Sequence, residues 1–135
     1  MLFISIVIIG YNTKKTLTKL LASINNQRLS KKQSVEIIYI DDGSVDGSFE
    51  LFQKFNLKFR KKSKKLVKNF GRSIATQAGI SLAEGTWCYF VRSNVVLDNN
   101  VLGEFIHSIT TQKAVAFMGS IAYESSDLVF QNYLN

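Results

Sequence analysis

Val35-Glu36-Ile37-Ile38-Tyr39-Ile40-Asp41-Asp42-Gly43-Ser44 is a run of strand-forming residues that stops at two carboxylates, a glycine and a hydroxyl. Near-continuous β-branched and aromatic residues mark a strand buried on both faces, as in parallel sheets. Open α/β sheets bind ligands at the carboxyl ends of their strands, so the abrupt polar ending marks a candidate site as well as a strand end.

The rest of the chain fits around this strand. Phe3 to Ile9 is a second β-branched run, closed by Gly10. From Thr13 to about Gln27, Leu17, Leu20, Leu21 and Ile24 recur at helical spacing, with Asn12 or Thr13 available as the cap. Ser44 to Ser48 carries cap and turn chemistry and predicts a short helix containing Phe49, Leu51, Phe52 and Phe55. Weak strand signals follow at Leu57 to Phe59 and at Leu66-Val67. Asn69-Phe70-Gly71 then turns into a small-residue helix over Ser73 to Ala83, whose Ala75, Ala78 and Gly79 face would let it approach a sheet closely. Thr86 to Val91 is a third strong strand, ending at Arg92-Ser93-Asn94. Val101 to Ile109 reads as a helix and Ala114 to Ile121 as a strand. Alternating strands and helices predict an α/β fold with a mainly parallel sheet flanked by helices, Rossmann-like, in one domain spanning residues 1–135.

Composition narrows the function classes. The net charge of +7 is local: Lys58 to Lys68 holds seven bases and no acid, and the remaining ten bases balance ten acids. Such a segment is either a solvated face or a patch for an anionic membrane leaflet, where each base near the surface contributes about 1 kcal/mol. Nucleic acid is the weaker partner reading, because Phe55, Phe59 and Phe70 fall where an α/β core needs cover and no RNA-binding motif accompanies them. The single Cys88, in an apolar run, reads as a small core residue; disulfides and structural zinc drop out. His107 reads as a helix-surface or core histidine, Trp87 as a core or edge-strand aromatic. The apolar start is too short for a membrane span and lacks a basic leader, so a cytoplasmic chain beginning at Met1, peripheral at most to the membrane, is expected.

Taken in order, Ser5 to Asn12, Leu20 to Gln27, Glu36 to Asp46, Asn69 to Gly71 and Gly79 to Phe90 resemble the amino-terminal half of the family 2 glycosyltransferases, which have the GT-A fold. The resemblance covers about the first 110 positions. It implies that the chain holds the nucleotide of a donor, a UDP-sugar or nucleotide diphosphate, through Tyr11, Asn12, Asp41, Asp42 and Ser44. Tyr11 would lie along the base and Asp42 would accept from the uracil N–H; Asp41 is either a further contact or the anchor of the turn. For Asp46, capping of the next helix is favoured over ligand binding. Gly71 and Gly79 are assigned to a tight turn and a close helix approach.

The chain departs from that family in two places. Where the family carries a metal-binding Asp-x-Asp, this chain has Arg92-Ser93-Asn94, so neither Mg²⁺ nor Mn²⁺ is expected as cofactor. Either catalysis is low or absent, or Arg92 holds the pyrophosphate directly through its planar donor fork. The acceptor half, with its catalytic base, is expected to be missing or truncated; Glu124 and Asp127 are the only later acids, and neither is favoured as base. The alternative function is a non-catalytic partner or scaffold domain.

Overall fold

A computed structural model describes residues 2–113 and residue 116. The predicted strand at Ala114 to Ile121 and the tail beyond it lie outside the described residues. The elements run β1 (Leu2–Gly10), α1 (Lys14–Asn25), β2 (Gln33–Asp41), α2 (Ser48–Lys54), β3 (Arg60–Lys65), α3 (Arg72–Leu82), β4 (Trp87–Arg92) and α4 (Val101–Thr111). Their strands form one four-stranded sheet of order β3-β2-β1-β4, and every neighbouring pair is parallel. The expected α/β architecture is present.

Period-two alternation divides the strands between two layers. Ile4, Ile6, Ile8, Val35, Ile37 and Tyr39 face one side, where they meet Leu17, Leu20, Leu21 and Ile24 of α1, Phe52 of α2, and Leu102 and Ile106 of α4. Tyr39 stacks on Phe52 at 4.9 Å, while Phe105 of α4 meets Trp87 and Tyr89 of β4 edge-on. On the other side Val7, Ile38 and Ile40 lie under α3. The small-residue face of α3 makes this approach possible: a Cβ at Gly79 would run into Val7 Cγ1 and lie 3.4 Å from Ile40 Cγ1. Central strands covered on both faces explain why the sequence shows runs there and no alternation of polar and apolar residues.

Several expectations need correction. The third strand is not at Leu57 to Phe59 or Leu66-Val67 but between them, at Arg60–Lys65, built from the basic residues themselves. Among the described residues β3 has strand pairing on one side only, and such a strand tolerates this composition because lysines on a sheet edge discourage pairing with another chain. The amino end of α1 has no cap from Asn12 or Thr13 side chains; its caps come from the β2–α2 connection, described below. Cys88 is half-buried on β4, the last strand of the sheet among the described residues, and not in the core. Burial pushes its thiol up, and the Glu36 charge adds to this, which fits an unreactive residue.

Candidate nucleotide site at the carboxyl edge of the sheet

The parallel register brings three strand ends together. Gly10 pairs with Asp41, and Ile9 pairs with both Ile40 and Arg92. Tyr11 and Asn12, Asp41 to Ser44, and Arg92 to Asn94 therefore share one edge. Tyr11 is 49% exposed, and Arg92 and Asn94 are exposed, whereas Asp41, Asp42, Ser44 and Ser93 are buried.

The buried members hold two turns against each other. Asn12 has φ +52°, a left-handed conformation that asparagine tolerates better than most residues. Its N–H donates to Ser44 Oγ at 2.8 Å, and its Oδ1 accepts from the Val45 N–H at 3.0 Å. The next two N–H groups also reach across: Thr13 to Ser48 Oγ at 2.9 Å and Lys14 to Asp46 Oδ2 at 3.0 Å. Asp46 Oδ1 accepts from the N–H and the hydroxyl of Ser48. Burial works against ionisation of Asp46, but the Ser48 and Lys14 bonds outweigh it and hold its carboxyl below the ordinary range. Asp46 thus serves the starts of both α1 and α2. With its first donors engaged this way, α1 does not offer a phosphate the open helix terminus of a dinucleotide-binding fold.

Asp41 takes the turn-anchoring role. Its Oδ1 accepts from the Ser44 N–H at 2.7 Å and its Oδ2 from the Tyr39 hydroxyl at 3.2 Å. Burial pushes the Tyr39 phenol well up, and the Asp41 charge reinforces this, so Tyr39 stays a donor. Asp42 reaches further: Oδ1 accepts from the Phe70 N–H at 2.8 Å and Oδ2 from the Gly71 N–H at 3.0 Å, while its own N–H donates to the Gly10 carbonyl at 2.8 Å. Gly43, at φ +81°, permits the close approach of this second loop, since a Cβ there would run into the Lys68 carbonyl carbon and sit 2.7 Å from Asn69 N. A carboxylate has about four lone-pair sites, so Asp42 keeps acceptor capacity for a base beyond these two bonds.

The edge does not fit a divalent ion. Arg92 and Asn94 supply no carboxylate, Asp41, Asp42 and Asp46 each hold backbone N–H groups, and among the described residues no three His, Cys, Asp or Glu come together.

Sequence reasoning missed the parts played by Tyr39, Ser48 and Glu36, and it marked the turn at Asn69-Phe70-Gly71 without its tie to Asp42. Tyr39 lies in phase with the core residues Val35 and Ile37, and Ser48 looked like ordinary turn chemistry. For Glu36 there was a signal, a lone acid within an apolar strand. It is fully buried at the opposite end of the sheet, where Oε1 accepts from Ser5 Oγ and the Glu84 N–H, both at 2.7 Å, and Oε2 faces Lys62 Nζ at 2.9 Å. Burial raises its pKa, but those bonds outweigh burial and leave the carboxyl below its ordinary value. Lys62 also bonds the Leu82 carbonyl at 2.9 Å, so this cluster fastens the carboxyl end of α3 to the sheet.

The basic segment is partly internal. Lys61 Nζ donates to the Phe52, Gln53 and Phe55 carbonyls, closing the end of α2, and Arg60 pairs with Glu84. Lys58, Lys64, Lys65 and Lys68 are exposed; among the described residues Lys64 and Lys68 have no carboxylate within ion-pair distance. Phe55 and Phe59 pack against the core, and His107 is exposed on α4. No helix among the described residues is long and apolar enough to cross a membrane.

A parallel sheet between helix layers, with an aromatic turn and an acidic turn at its carboxyl edge, is the architecture of a GT-A glycosyltransferase domain. The family model "Glycosyl transferase family 2" matches residues 5–134, and the chain belongs to that family. It is 31% identical over 96% of its length to a cholesterol galactosyltransferase of Borreliella burgdorferi and 30% identical over 97% to the glycosyltransferase GlyG of Streptococcus pneumoniae. It spans 38% and 43% of the lengths of those relatives. The crystal structure of Staphylococcus aureus TarS residues 1–349 in complex with UDP-GlcNAc superposes with a TM-score of 0.73 at 28% identity, over 82% of this chain and 31% of that one.

Proposed function

We propose that this chain binds the nucleotide of a UDP-sugar donor at the carboxyl edge of its sheet, as the donor-binding part of a glycosyltransferase acting on a saccharide or lipid-linked acceptor. The observation that carries this reading is the register: it sets the exposed Tyr11 ring, the Asp42 carboxylate and the exposed Arg92 on one edge. The likeness to TarS, solved with UDP-GlcNAc, supports the same ligand class. Tyr11 stacks on the base, Asp42 accepts from its N–H, and Arg92 meets the pyrophosphate where the family has metal-binding acids.

Turnover by this chain alone is low or absent. Asp41, Asp42 and Asp46 each hold backbone donors, which leaves none of them poised to deprotonate an acceptor hydroxyl. The second reading, a non-catalytic partner or scaffold, draws on the same replaced acids.

The exposed Lys64 and Lys68, which have no carboxylate within ion-pair distance among the described residues, face the anionic cytoplasmic leaflet in this proposal. Calorimetric titration with UDP, with and without Mn²⁺, tests the donor site. Metal-independent binding, weakened about tenfold or more in Arg92→Ala, is the expected outcome. Strongly metal-dependent binding would contradict the role of Arg92, and no binding of any nucleotide diphosphate would sink the proposal.

A further inference from the structure

Phe70 packs into neither core layer and is 40% exposed, yet its N–H is held by the buried Asp42 carboxylate. Asp42 takes the N–H groups of Phe70 and Gly71, the Leu66 N–H donates to the Asp41 carbonyl at 2.8 Å, and Gly43 lets the backbone at Lys68 and Asn69 close in. On its other side Asp42 bonds Gly10, the residue before Tyr11. One buried carboxylate residue therefore joins two segments, and each presents an exposed aromatic ring. Lys68 Nζ lies 5.2 Å from the Phe70 ring centroid, which places a cation beside that ring.

An apolar ring held in solvent by a buried carboxylate contributes little to folding, because it lies outside both cores. A nucleobase has two π faces, and Tyr11 can cover one. We propose that Phe70 is a further binding residue of the donor site, supplying a second stacking surface for the base on a loop that Asp42 positions. This rests on the nucleotide reading above and extends it: Asp42 acts on the base through the 66–71 loop as well as by direct contact. Because stacking tolerates any base, Phe70 strengthens nucleoside binding and Asp42 supplies the choice among bases.

The test is calorimetry on the whole chain with two probes, UDP and inorganic pyrophosphate, comparing wild type with Phe70→Ala, Phe70→Leu and Phe70→Tyr. Phe70→Ala and Phe70→Leu should each weaken UDP about tenfold. Pyrophosphate binding should be unchanged in both, and Phe70→Tyr should keep wild-type UDP affinity. Phe70→Leu keeps apolar bulk without a π face, so it separates stacking from loop support. If wild type binds UDP and both variants match it, Phe70 has no such role and the nucleotide reading stands. Equal loss of UDP and pyrophosphate would show loop collapse and overturn the stacking role. Wild type that binds no UDP overturns both.

Discussion

Replacing Gly79 by alanine adds one methyl group at the contact between α3 and the sheet. That methyl meets Val7 Cγ1, and Val7 is fully buried with Ile38, Ile40 and Ala75, so the obstruction cannot swing into solvent. Overpacking costs about 1–3 kcal/mol, and a contact this close with a buried β-branched partner that cannot yield lies at the upper end, about 2–3 kcal/mol. Alanine offsets part of it, since its helix propensity exceeds that of glycine by about 1 kcal/mol. The net loss is about 1–2 kcal/mol, a drop of about 3–8 °C in melting temperature for a chain of this size. Gly103→Ala is the internal control: Gly103 lies in α4, and a Cβ there meets nothing within 4 Å. The same substitution should stabilise by about 0.4–1 kcal/mol. Urea denaturation and thermal melts of both variants give the two signs. A Gly79→Ala protein as stable as wild type would refute the argument that α3 is seated by the missing side chain. Displacement of α3 also reaches the site, because the Asp42-held loop runs directly into it.

Asp42→Asn should destabilise by about 2 kcal/mol, since the Phe70 and Gly71 N–H groups go to different oxygens and one of these becomes an NH₂ donor facing an N–H; hydrogen exchange at those two amides should rise. Lys61→Met should cost about 1–2 kcal/mol by opening the end of α2, measured by urea denaturation, although the position looks like a dispensable surface charge. Glu36 supplies a pH dependence. Its folded pKa lies below the ordinary 4.5, so its contribution is complete above about pH 4.5 and is lost as pH falls through the folded value. Glu36→Gln should therefore be less stable than wild type at pH 7, with the gap closing below pH 4 in acid titrations; a constant gap would refute this. Lys64→Glu with Lys68→Glu should abolish low-salt cosedimentation with anionic vesicles while leaving the melting temperature near wild type.

Strand and helix existence was legible where one physical rule dominated. Runs such as Ile6 to Ile9 and Ile37 to Ile40 announce central parallel strands, and the Leu17, Leu20, Leu21, Ile24 spacing announces α1. The pairing of Asp41-Asp42-Gly43-Ser44 with Tyr11-Asn12 followed from family resemblance, and the register brings the two turns together. β3 was not legible, because its residues are lysines and arginine with weak strand preference; it exists because β2 offers a hydrogen-bonding edge and because carbonyls and Glu36 receive its charges.

Sequence by itself determined the α/β class, the candidate edge and the presence of Arg92 and Asn94 where the resembled family has metal-binding acids, since these depend on residue type and local order. Only the tertiary structure decided what each acid does. The Ser44 N–H three residues on makes Asp41 the anchor of its own turn, whereas hydrogen bonds between residues some thirty positions apart bring Asp46 to the start of α1 as well as α2 and make Asp42 the joint between two loops. A carboxylate has the same chemistry in each place, and the donors that fold against it decide its role.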